Sequence, residues 1–555
     1  MRKAEFGTLA PMATGTNRFD VVVVGGGHNG LVAAGLLAKR GARVTVLERR
    51  SKVGGAAVTE QPWGPDFKMT ALSYVMSMMP PTVLRELELA KHGYRIYPQH
   101  GYFAPHADGR FLQLPDDDLR RRHEQISKFS KADADAITRW DAWLGRLAET
   151  LGPLLTTVPP KLGSKRPADL LEQAKLAWKL RGLDGRAVGD VTRLFTSSIA
   201  DLLDEYFESP QMQGVLAVSG IIGTWGGPRS AGTAFVMAHH KIGDVGDGQL
   251  ASWGFPAGGM GAVSDALRSA AESFGATVRT DATVDRILVR NGRATGVVLQ
   301  SGEELHADVV VAATHPQITF LHQIERGDLP DDFVADIERW KSRSGTVKVN
   351  LALDRLPDFS AKPGFDPEVH GGTIVLADSL DEIETAFQDA VAGRPAVAPF
   401  ADICIPSVFD PSLAPAGSHV MSMFTQWVPH DYASKPMTSE LDAYADRVVA
   451  RVERVAPGFT ASILHRQVIS PYDMEHEYGL IGGNIFHGEL SADQMFHMRP
   501  APGFADFRSP IAGLYQASSA THGGGGVTGI PGLNAVARIL ADRRGVRRNR
   551  PRLTP

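Results

Sequence analysis

The chain has 555 residues, which corresponds to three or four domains of ordinary size. Apolar residues make up 43 % of it and charged residues 22 %, which excludes the disordered and fibrous classes of protein. Lys and Arg number 58 against 62 Asp and Glu, so the chain has no basic field for binding nucleic acid. Cys404 is the only cysteine, which excludes disulfide frameworks, CxxC redox pairs and thiolate metal sites.

The two ends of the chain, residues 1–17 and 546–555, are predicted to be flexible. The first lacks the apolar run of a signal peptide, and the sequence contains no segment typical of a membrane-spanning helix. We therefore expect a cytoplasmic protein. The basic run Arg543–Arg550 is typical of a solvated tail, with peripheral contact to a membrane as the alternative. The sequence leaves the oligomeric state open.

The fold is predicted to begin with a strand–helix–strand unit. Residues 19–25 form a nearly continuous β-branched run, which is typical of a strand buried on both faces of a parallel sheet. Residues 29–40 have helical spacing of apolar side chains and end at a glycine, and residues 43–48 read as the next strand. Such a unit, at the start of a chain, predicts an α/β fold.

The turn inside this unit predicts a dinucleotide site. It contains Gly25, Gly27 and Gly30 in the pattern G-x-G-x-x-G. In that pattern the first glycine permits the tight turn, the second lets the backbone approach a pyrophosphate, and the third lets helix and strand pack closely. Glu48 ends the second strand, where a carboxylate accepts hydrogen bonds from an adenosine ribose. Because it would repel a ribose 2′-phosphate, the ligand is predicted not to be of the NADP type.

Further along, the chain alternates between helical and strand-rich regions. Residues 105–245 are predicted to be mainly helical, and residues 330–470 to mix strands with helices. The individual elements predicted from periodicity and turn signals are helices at 133–147, 168–180, 261–274, 439–455 and 532–544, and strands at 277–280, 284–290, 295–300, 303–305, 308–313, 346–353 and 420–424. No internal repeat is present.

Several segments together resemble one known family. Glu48 is followed by the pair Gly54-Gly55, and the C-terminal segment 513–535 contains four consecutive glycines and Gly529-Ile530-Pro531-Gly532-Leu533. Segments 255–261 and 283–287 add to the likeness. From about residue 20 to 542 the chain resembles FAD-dependent oxidoreductases of the phytoene desaturase and carotenoid isomerase type, most strongly the branch of pyridine nucleotide-disulfide oxidoreductase domain-containing proteins. The disulfide in that name does not apply, because Cys404 has no partner.

The resemblance implies roles for individual residues. Those it assigns to FAD are Gly25, Gly27 and Gly30 at the pyrophosphate, Glu48 at the ribose, Lys52 in place of the usual arginine, Gly54 and Gly55 beneath the flavin side, Val284 at the adenine through its backbone, and Gly529, Gly532 and Leu533 at the flavin pyrimidine edge. Ala56 departs from amine oxidases, which carry arginine there, and so disfavours amine chemistry.

The same resemblance implies two domains built from separated segments. A glutathione-reductase-type Rossmann domain for FAD is predicted from segments 18–75, 250–325 and 480–545. Segments 76–249 and 326–479 are predicted to form a substrate-capping domain with a mixed sheet and helices. No second G-x-G-x-x-G pattern is expected between a strand and a helix, since Gly259-Met260-Gly261 follows an expected loop. Reoxidation is therefore predicted to come from oxygen, a quinone or a carrier.

The implied activity is that of a dehydrogenase or desaturase, which transfers a hydride from a C–H bond of a lipophilic substrate, such as an isoprenoid or polyene, to flavin N5. A redox-neutral polyene isomerase or a saturase, and a flavin-containing regulatory protein, are the alternatives. His522 is the one catalytic candidate, with a hydrogen-bonded loop residue as the plainer interpretation. The other histidines lack metal-ligand spacing, so no metal is expected. Met69, Met76, Met78 and Met79 predict either a substrate tunnel or a core.

Overall fold

The computed structural model describes residues 17–116, 118–243, 252–436 and 439–548. Its strands are β1 (Arg18–Val24), β2 (Val44–Leu47), β3 (Thr59–Glu60), β4 (Met69–Thr70), β5 (Ile96–Pro98), β6 (Tyr102–Pro105), β7 (Phe111–Leu114), β8 (Gly254–Pro256), β9 (Thr277–Arg279), β10 (Val284–Arg290), β11 (Arg293–Leu299), β12 (Glu304–Ala312), β13 (Thr346–Leu353), β14 (Thr373–Leu376), β15 (Phe400–Cys404), β16 (His419–Gln426), β17 (Ile463–Ile469) and β18 (Leu514–Gln516).

Its helices are α1 (His28–Ala38), α2 (Pro81–Glu86), α3 (Leu119–Ser127), α4 (Lys131–Leu155), α5 (Pro167–Leu180), α6 (Gly185–Thr196), α7 (Ile199–Tyr206), α8 (Pro210–Ile221), α9 (Thr233–Lys241), α10 (Met260–Ser273), α11 (Asp331–Glu338), α12 (Pro367–His370), α13 (Leu380–Val391), α14 (Ser439–Val455), α15 (Pro471–Tyr478) and α16 (Ile530–Arg548). Short 3₁₀ turns connect several of them.

The first sheet has seven strands in the order β10-β11-β12-β1-β2-β9, with β18 also beside β12. Strands β9, β2, β1, β12 and β18 pair in parallel, and β10 and β11 add an antiparallel edge. Residues 21–24 of β1 are buried on both faces, which explains their continuous run of valines. Helices α1, α10 and α16 pack together on one face of the sheet, with α1 in contact with both others.

The strands and helices predicted for this part of the chain are confirmed with small shifts at their ends. One difference concerns 303–305 and 308–313, which were expected to be separate strands and form the single strand β12. The reason is that His306 and Ala307 continue the ladder by pairing with Arg18 and Phe19. A partner strand therefore keeps extended a segment whose own sequence suggested a break.

The second sheet also has seven strands, in the order β17-β13-β16-β15-β14-β6-β7. The β14–β6 pair is parallel and the other pairs are antiparallel, so the sheet is mixed. All eight residues of β13 are buried. Helices from 119–241 and 380–455 share a hydrophobic core with this sheet. The chain thus has an α/β fold with two mixed sheets and helices, as predicted at this level.

The two cores do not follow the predicted segment ends closely. Met76, Met79 and Leu87, which follow the expected boundary at residue 75, pack in the core under the first sheet. Phe486 and Leu490, assigned to the other unit, pack in the core of the second sheet. The last helix continues to Arg548, into the end predicted to be flexible. The rest of the predicted flexible ends, 1–16 and 549–555, lies outside the described residues.

Within the described ranges, every helix falls short of the length or the hydropathy that crossing a bilayer requires.

Candidate functional site

The turn between β1 and α1 is shaped by glycines with two distinct functions. Gly25 has φ +99°, which favours glycine. A Cβ on Gly30 would lie 2.2 Å from the carbonyl oxygen of Gly25, so glycine is required for α1 to approach the turn. At Gly27, in contrast, a Cβ would meet no described atom within 4 Å. Gly25 and Gly30 therefore fix the turn, and Gly27 leaves open space beside it.

The first turn of α1 presents unsatisfied polar groups to this space. Its N-cap residue, Gly27, makes no side-chain capping bond. The side-chain atoms His28 Nε2 and Asn29 Oδ1 are buried and have no hydrogen-bond partner in the described part of the chain. Burial lowers the pKa of His28 to about 4, so its ring is neutral at pH 7. Free N–H groups at a helix N-terminus, with nearby polar side chains, fit a pyrophosphate.

Glu48 is held at the carboxyl end of β2, next to the glycine turn. Its Oε2 accepts a hydrogen bond from the Gly26 N–H at 2.8 Å, and its Oε1 accepts one from the Arg50 N–H at 2.9 Å. The residue is buried. Because each carboxylate oxygen has a second lone pair, Glu48 keeps the capacity to accept hydrogen bonds from ribose hydroxyls.

The glycine pair after Glu48 lies against the turn, whereas Lys52 does not. The Gly54 N–H donates to the Gly26 carbonyl at 2.9 Å, and a Cβ on Gly55 would lie 3.6 Å from Gly27 Cα. Lys52 is exposed, and its charge acts on Asp265 of α10. The structure therefore brings the two glycines to the candidate site and leaves Lys52 at the surface.

The C-terminal residues implied for the flavin edge stand at the beginning of α16 and pack against α1. A Cβ on Gly532 would lie 2.3 Å from the Asn29 carbonyl oxygen, and one on Gly529 would lie 3.0 Å from Val32 Cγ2. The Leu533 N–H donates to the Gly529 carbonyl at 3.0 Å, and the Leu533 side chain packs in the core below the sheet. Helix α16 thus begins beside the beginning of α1, and both helix N-termini meet near the glycine turn.

Val284 lies at the beginning of β10, close to the backbone that flanks Glu48. The Ala282 N–H donates to the Glu48 carbonyl at 2.8 Å. The Val284 carbonyl accepts a hydrogen bond from Gln323 Nε2 at 3.1 Å, so one of its two lone pairs is used inside the protein. Val284 therefore lies near the backbone of Glu48, and its assignment to the adenine stays a prediction.

A cavity of about 1420 Å³, including its open mouth, extends from His28, the residue that follows the glycine turn, to the second sheet. The side nearest the turn includes His28, Ala56, Ser519 and Gly526, and the opposite side includes Lys348, Asp402 and Phe424 from β13, β15 and β16. Further apolar side chains, Leu72, Met78, Met474, Leu480, Ile485 and Phe486, contribute to its lining. Of the four clustered methionines only Met78 is among the lining residues, and Met69, Met76 and Met79 are in the cores.

The floor of this cavity on the second sheet carries a buried ionisable cluster. Lys348 is 1 % exposed, and its Nζ donates to Ser422 Oγ at 2.5 Å and lies 4.1 Å from the centre of the Tyr74 ring. The Tyr74 hydroxyl donates to Asp402 Oδ1 at 3.0 Å. Burial lowers the pKa of Lys348 to about 7 and raises that of Asp402 to about 6. The cluster can therefore exchange a proton near neutral pH.

The sequence analysis missed this cluster, although β13 itself was predicted. The missed signal is a single charged residue in each of two otherwise uncharged, fully buried strands: Lys348 in β13 and Asp402 in β15. Burying a lysine or an aspartate inside a strand lowers the stability of the fold, and such a residue is therefore a candidate for function.

His522, the catalytic candidate from the sequence, lies elsewhere. Its Nε2–H donates to the Leu154 carbonyl at 2.9 Å, and its ring lines a smaller pocket together with His239 and Arg499. It is absent from the residues that line the large cavity. This placement is that of a hydrogen-bonded loop residue.

The other buried histidines near the cavity are neutral. Burial lowers the pKa of His239 and His487 to about 3 and that of His240 to about 4. Across the described ranges, no group of three or more His, Cys, Asp and Glu side chains could hold a metal ion.

The segment around Gly259 requires a correction. It was expected to follow a loop, but the short strand β8 precedes it and α10 follows it. Strand β8 pairs antiparallel with β5, apart from the parallel sheet. Cβ atoms on Gly259 and Gly261 would lie 2.6 Å from Thr59 atoms, so these glycines allow α10 to pack against β3. They do not form a second dinucleotide turn.

Comparison with known proteins gives the following relationships. The family model described as flavin containing amine oxidoreductase matches residues 30–532. The chain is 39 % identical to pyridine nucleotide-disulfide oxidoreductase domain-containing protein 2 of Rattus norvegicus, over 94 % of each chain. It is 26 % identical to a limonene dehydrogenase subunit of Castellaniella defragrans, over 94 % of each chain. It is 23 % identical to prolycopene isomerase 2 of an Oncidium hybrid, over 97 % of this chain and 86 % of that protein.

Among solved structures, cyclohexylamine oxidase from Brevibacterium oxydans superposes with a TM-score of 0.57 at 17 % identity, over 96 % of this chain and 100 % of that one. At an identity this low, the superposition demonstrates a shared fold and nothing further.

Proposed function

The chain belongs to the family of flavin-containing amine oxidoreductases, and from this membership we propose that it is an FAD-dependent dehydrogenase acting on a C–H bond of a lipophilic substrate. The observation that carries the proposal is the cavity itself. It begins beside the glycine turn, at His28, has a mostly apolar surface, and ends at the ionisable cluster of Lys348, Tyr74 and Asp402. When bound, FAD supplies a hydride acceptor at its N5 position.

We further propose how the chain holds this cofactor. The N-terminus of α1, with Gly25, Gly27 and Gly30, binds the pyrophosphate, and Glu48 binds the adenosine ribose. Gly54 and Gly55 support the part of FAD nearer the flavin, Val284 lies at the adenine, and the beginning of α16 from Gly529 to Leu533 lies at the pyrimidine edge. In this proposal the first sheet and its helices form a glutathione-reductase-type domain, and the second sheet forms the substrate side of the cavity.

Lys348 is the group best suited to receive the proton that accompanies dehydrogenation. A desaturated product requires the loss of one hydride and one proton from the substrate. With a pKa of about 7, a large fraction of Lys348 is a neutral amine at neutral pH, and its Nζ can bind that proton. The hydrogen bond to Ser422 Oγ and the Tyr74 ring keep Nζ at the cavity floor.

A redox-neutral isomerase is the second candidate, because one of the relatives is named a prolycopene isomerase. For the dehydrogenase we propose that the electrons pass on to oxygen, a quinone or a protein carrier.

Anaerobic mixing of the purified holoenzyme with a panel of limonene, a monoterpene alcohol, a primary amine and a cis-polyene tests the proposal. We expect at least one compound to bleach the flavin absorbance band and to yield an oxidised product by mass spectrometry. Lys348→Met should slow this bleaching, whereas Lys241→Met, which changes another lysine lining the cavity, should have little effect. An isomerised polyene with no net flavin reduction would favour the second candidate.

A further inference from the structure

Very little of helix α5 is buried in the protein. Asp169 is the one buried residue among its fourteen. Three large apolar side chains of α5, Leu170, Leu171 and Trp178, are 47 %, 57 % and 66 % exposed. Three large apolar side chains exposed on one short helix form a patch, unlike the single exposed apolar residues that are common on protein surfaces.

The side of α5 that faces the protein carries polar side chains together with the partly buried Leu176 and Leu180. Asp169 accepts a hydrogen bond from the Ser164 hydroxyl at 2.6 Å, and Glu172 pairs with Arg538 of α16 at 2.8 Å. Gln173 Nε2 donates to the Lys161 carbonyl at 2.8 Å. Positions 170, 174 and 178 recur at intervals of four residues and therefore lie along one side of the helix, with 171 adjacent. The helix is thus attached by hydrogen bonds, an ion pair and two partly buried leucines, while Leu170, Leu171 and Trp178 point outward.

The charges that remain on the outer side are positive. Residues 161–186 contain seven basic and three acidic side chains, in a chain with a net charge of −4. Asp169 and Glu172 are used in the inward contacts. Lys175, Lys179 and Arg181 are exposed, and the ion pairs found among the described residues include none of them. The Arg181 guanidinium lies 3.6 Å from the centre of the Trp178 ring, which places a cation beside the most exposed apolar side chain.

We propose that α5 is a docking surface for an anionic phospholipid membrane. Leu170, Leu171 and Trp178 enter the boundary between headgroups and acyl chains, and Lys175, Lys179 and Arg181 contact the anionic headgroups. Amphipathic helices with this combination of outward apolar and basic side chains lie in the plane of such an interface. Each lysine or arginine close to an anionic surface strengthens binding on the order of fivefold at low ionic strength. The surface is separate from the cavity, so this proposal does not depend on the substrate.

Co-sedimentation of the full-length holoenzyme with vesicles tests the proposal. We expect binding to vesicles of phosphatidylcholine with phosphatidylglycerol, at least tenfold weaker binding to phosphatidylcholine alone, and loss of binding at high salt. Equal binding to both vesicle types, or binding that salt does not change, would overturn the assignment of an anionic surface. Brominated phosphatidylglycerol should quench the fluorescence of the wild type more than that of Trp178→Phe, because Trp178 inserts.

Two sets of variants locate the contact. The triple variant Leu170→Glu, Leu171→Glu, Trp178→Glu should reduce binding to anionic vesicles at least tenfold, and Lys175→Gln with Lys179→Gln should flatten the salt dependence. Val391→Glu is the matched control, since Val391 is a 55 % exposed apolar residue on helix α13. Flavin content and melting temperature verify that each variant is folded. A triple variant that binds vesicles as the wild type does would refute the proposal. A triple variant whose only change is from a dimer to a monomer in light scattering would also refute it, because α5 would then be a contact between two copies of the chain.

Discussion

The glycine turn, which leads into His28 at one side of the cavity, and the cavity floor on the second sheet are built in opposite ways. The turn is built mainly from backbone groups: glycines shape it, and the N–H groups of the first turn of α1 lie beside it. Glu48 is its single charged side chain, and two backbone N–H groups hold that carboxylate. At the floor, side chains from three distant segments meet, and Lys348 and Asp402 have strongly shifted pKa values. Added side-chain volume at the turn should therefore change stability and FAD binding, whereas the contribution of the floor to stability should change with pH.

The largest expected effect is at the floor, for Lys348→Met. Burial lowers the pKa of Lys348 from 10.5 to about 7 in the folded protein. Between these values the unfolded chain binds more protons than the folded one, so through this group stability rises with pH, by up to about 1.4 kcal/mol per pH unit. Below pH 7 both states are protonated and the burial cost is complete. We expect Lys348→Met to be more stable than the wild type at pH 7, with the difference shrinking toward pH 10.5.

Urea unfolding of both proteins across pH 6.5–10, analysed as the difference between them, measures this effect without the contributions of other groups. Lys241→Met serves as the control. A difference in the free energy of unfolding that stays constant across this range would show that Lys348 keeps an ordinary pKa. The floor would then not differ from the turn in its response to pH.

The next effect concerns two glycines of the turn that look equivalent in the sequence. At Gly30 a Cβ would collide with the Gly25 carbonyl oxygen at 2.2 Å, whereas at Gly27 it would meet no described atom. Gly30→Ala should lower the free energy of unfolding of the apoprotein by about 3 kcal/mol or more. Gly27→Ala should cost only about 1 kcal/mol, as a poorer N-cap, and yet weaken FAD binding at least tenfold.

Denaturant unfolding of apoprotein and titration with FAD separate the two outcomes. If Gly27→Ala binds FAD like the wild type, the open space beside Gly27 is not the pyrophosphate site.

This contrast also explains how much the sequence could predict. The turn, its strands and its helix can be recognised from residues within thirty positions of one another, and the predictions made there for the secondary structure are confirmed. The strand 346–353 was likewise predicted with its correct ends. That Lys348 faces a cavity, however, depends on the pairing of β13 with β16 and of β16 with β15, and on Tyr74 arriving from a loop more than 270 residues earlier. Local periodicity carries no information about such pairing.

The third effect concerns Glu48, the one charged side chain at the backbone-built turn. Glu48→Ala should weaken FAD binding tenfold to a hundredfold, because a charge-assisted hydrogen bond to the ribose contributes about 1.5–3 kcal/mol. Glu48→Gln keeps the acceptor oxygen and should lose less. Titration of the apoproteins gives the affinities, and far-UV circular dichroism verifies the fold. Equal affinity of the alanine variant and the wild type would mean that Glu48 only binds the Gly26 and Arg50 N–H groups.

The smallest effect is expected at His522, which follows both regions in chain order and belongs to neither. Its ring donates to the Leu154 carbonyl and lines the smaller pocket. His522→Phe removes this donor at similar volume and should lower the free energy of unfolding by about 1 kcal/mol. His522→Gln keeps a donor and should cost less.

Neither variant should change the rate at which a substrate from the panel bleaches the flavin band, since His522 is not among the residues that line the large cavity. Stopped-flow reduction under nitrogen, with Lys348→Met as the positive control, measures this rate. A tenfold slower reduction in both His522 variants, at wild-type stability, would return His522 to the role of a catalytic candidate. The chemistry would then depend on the C-terminal loop as well as on the cavity floor.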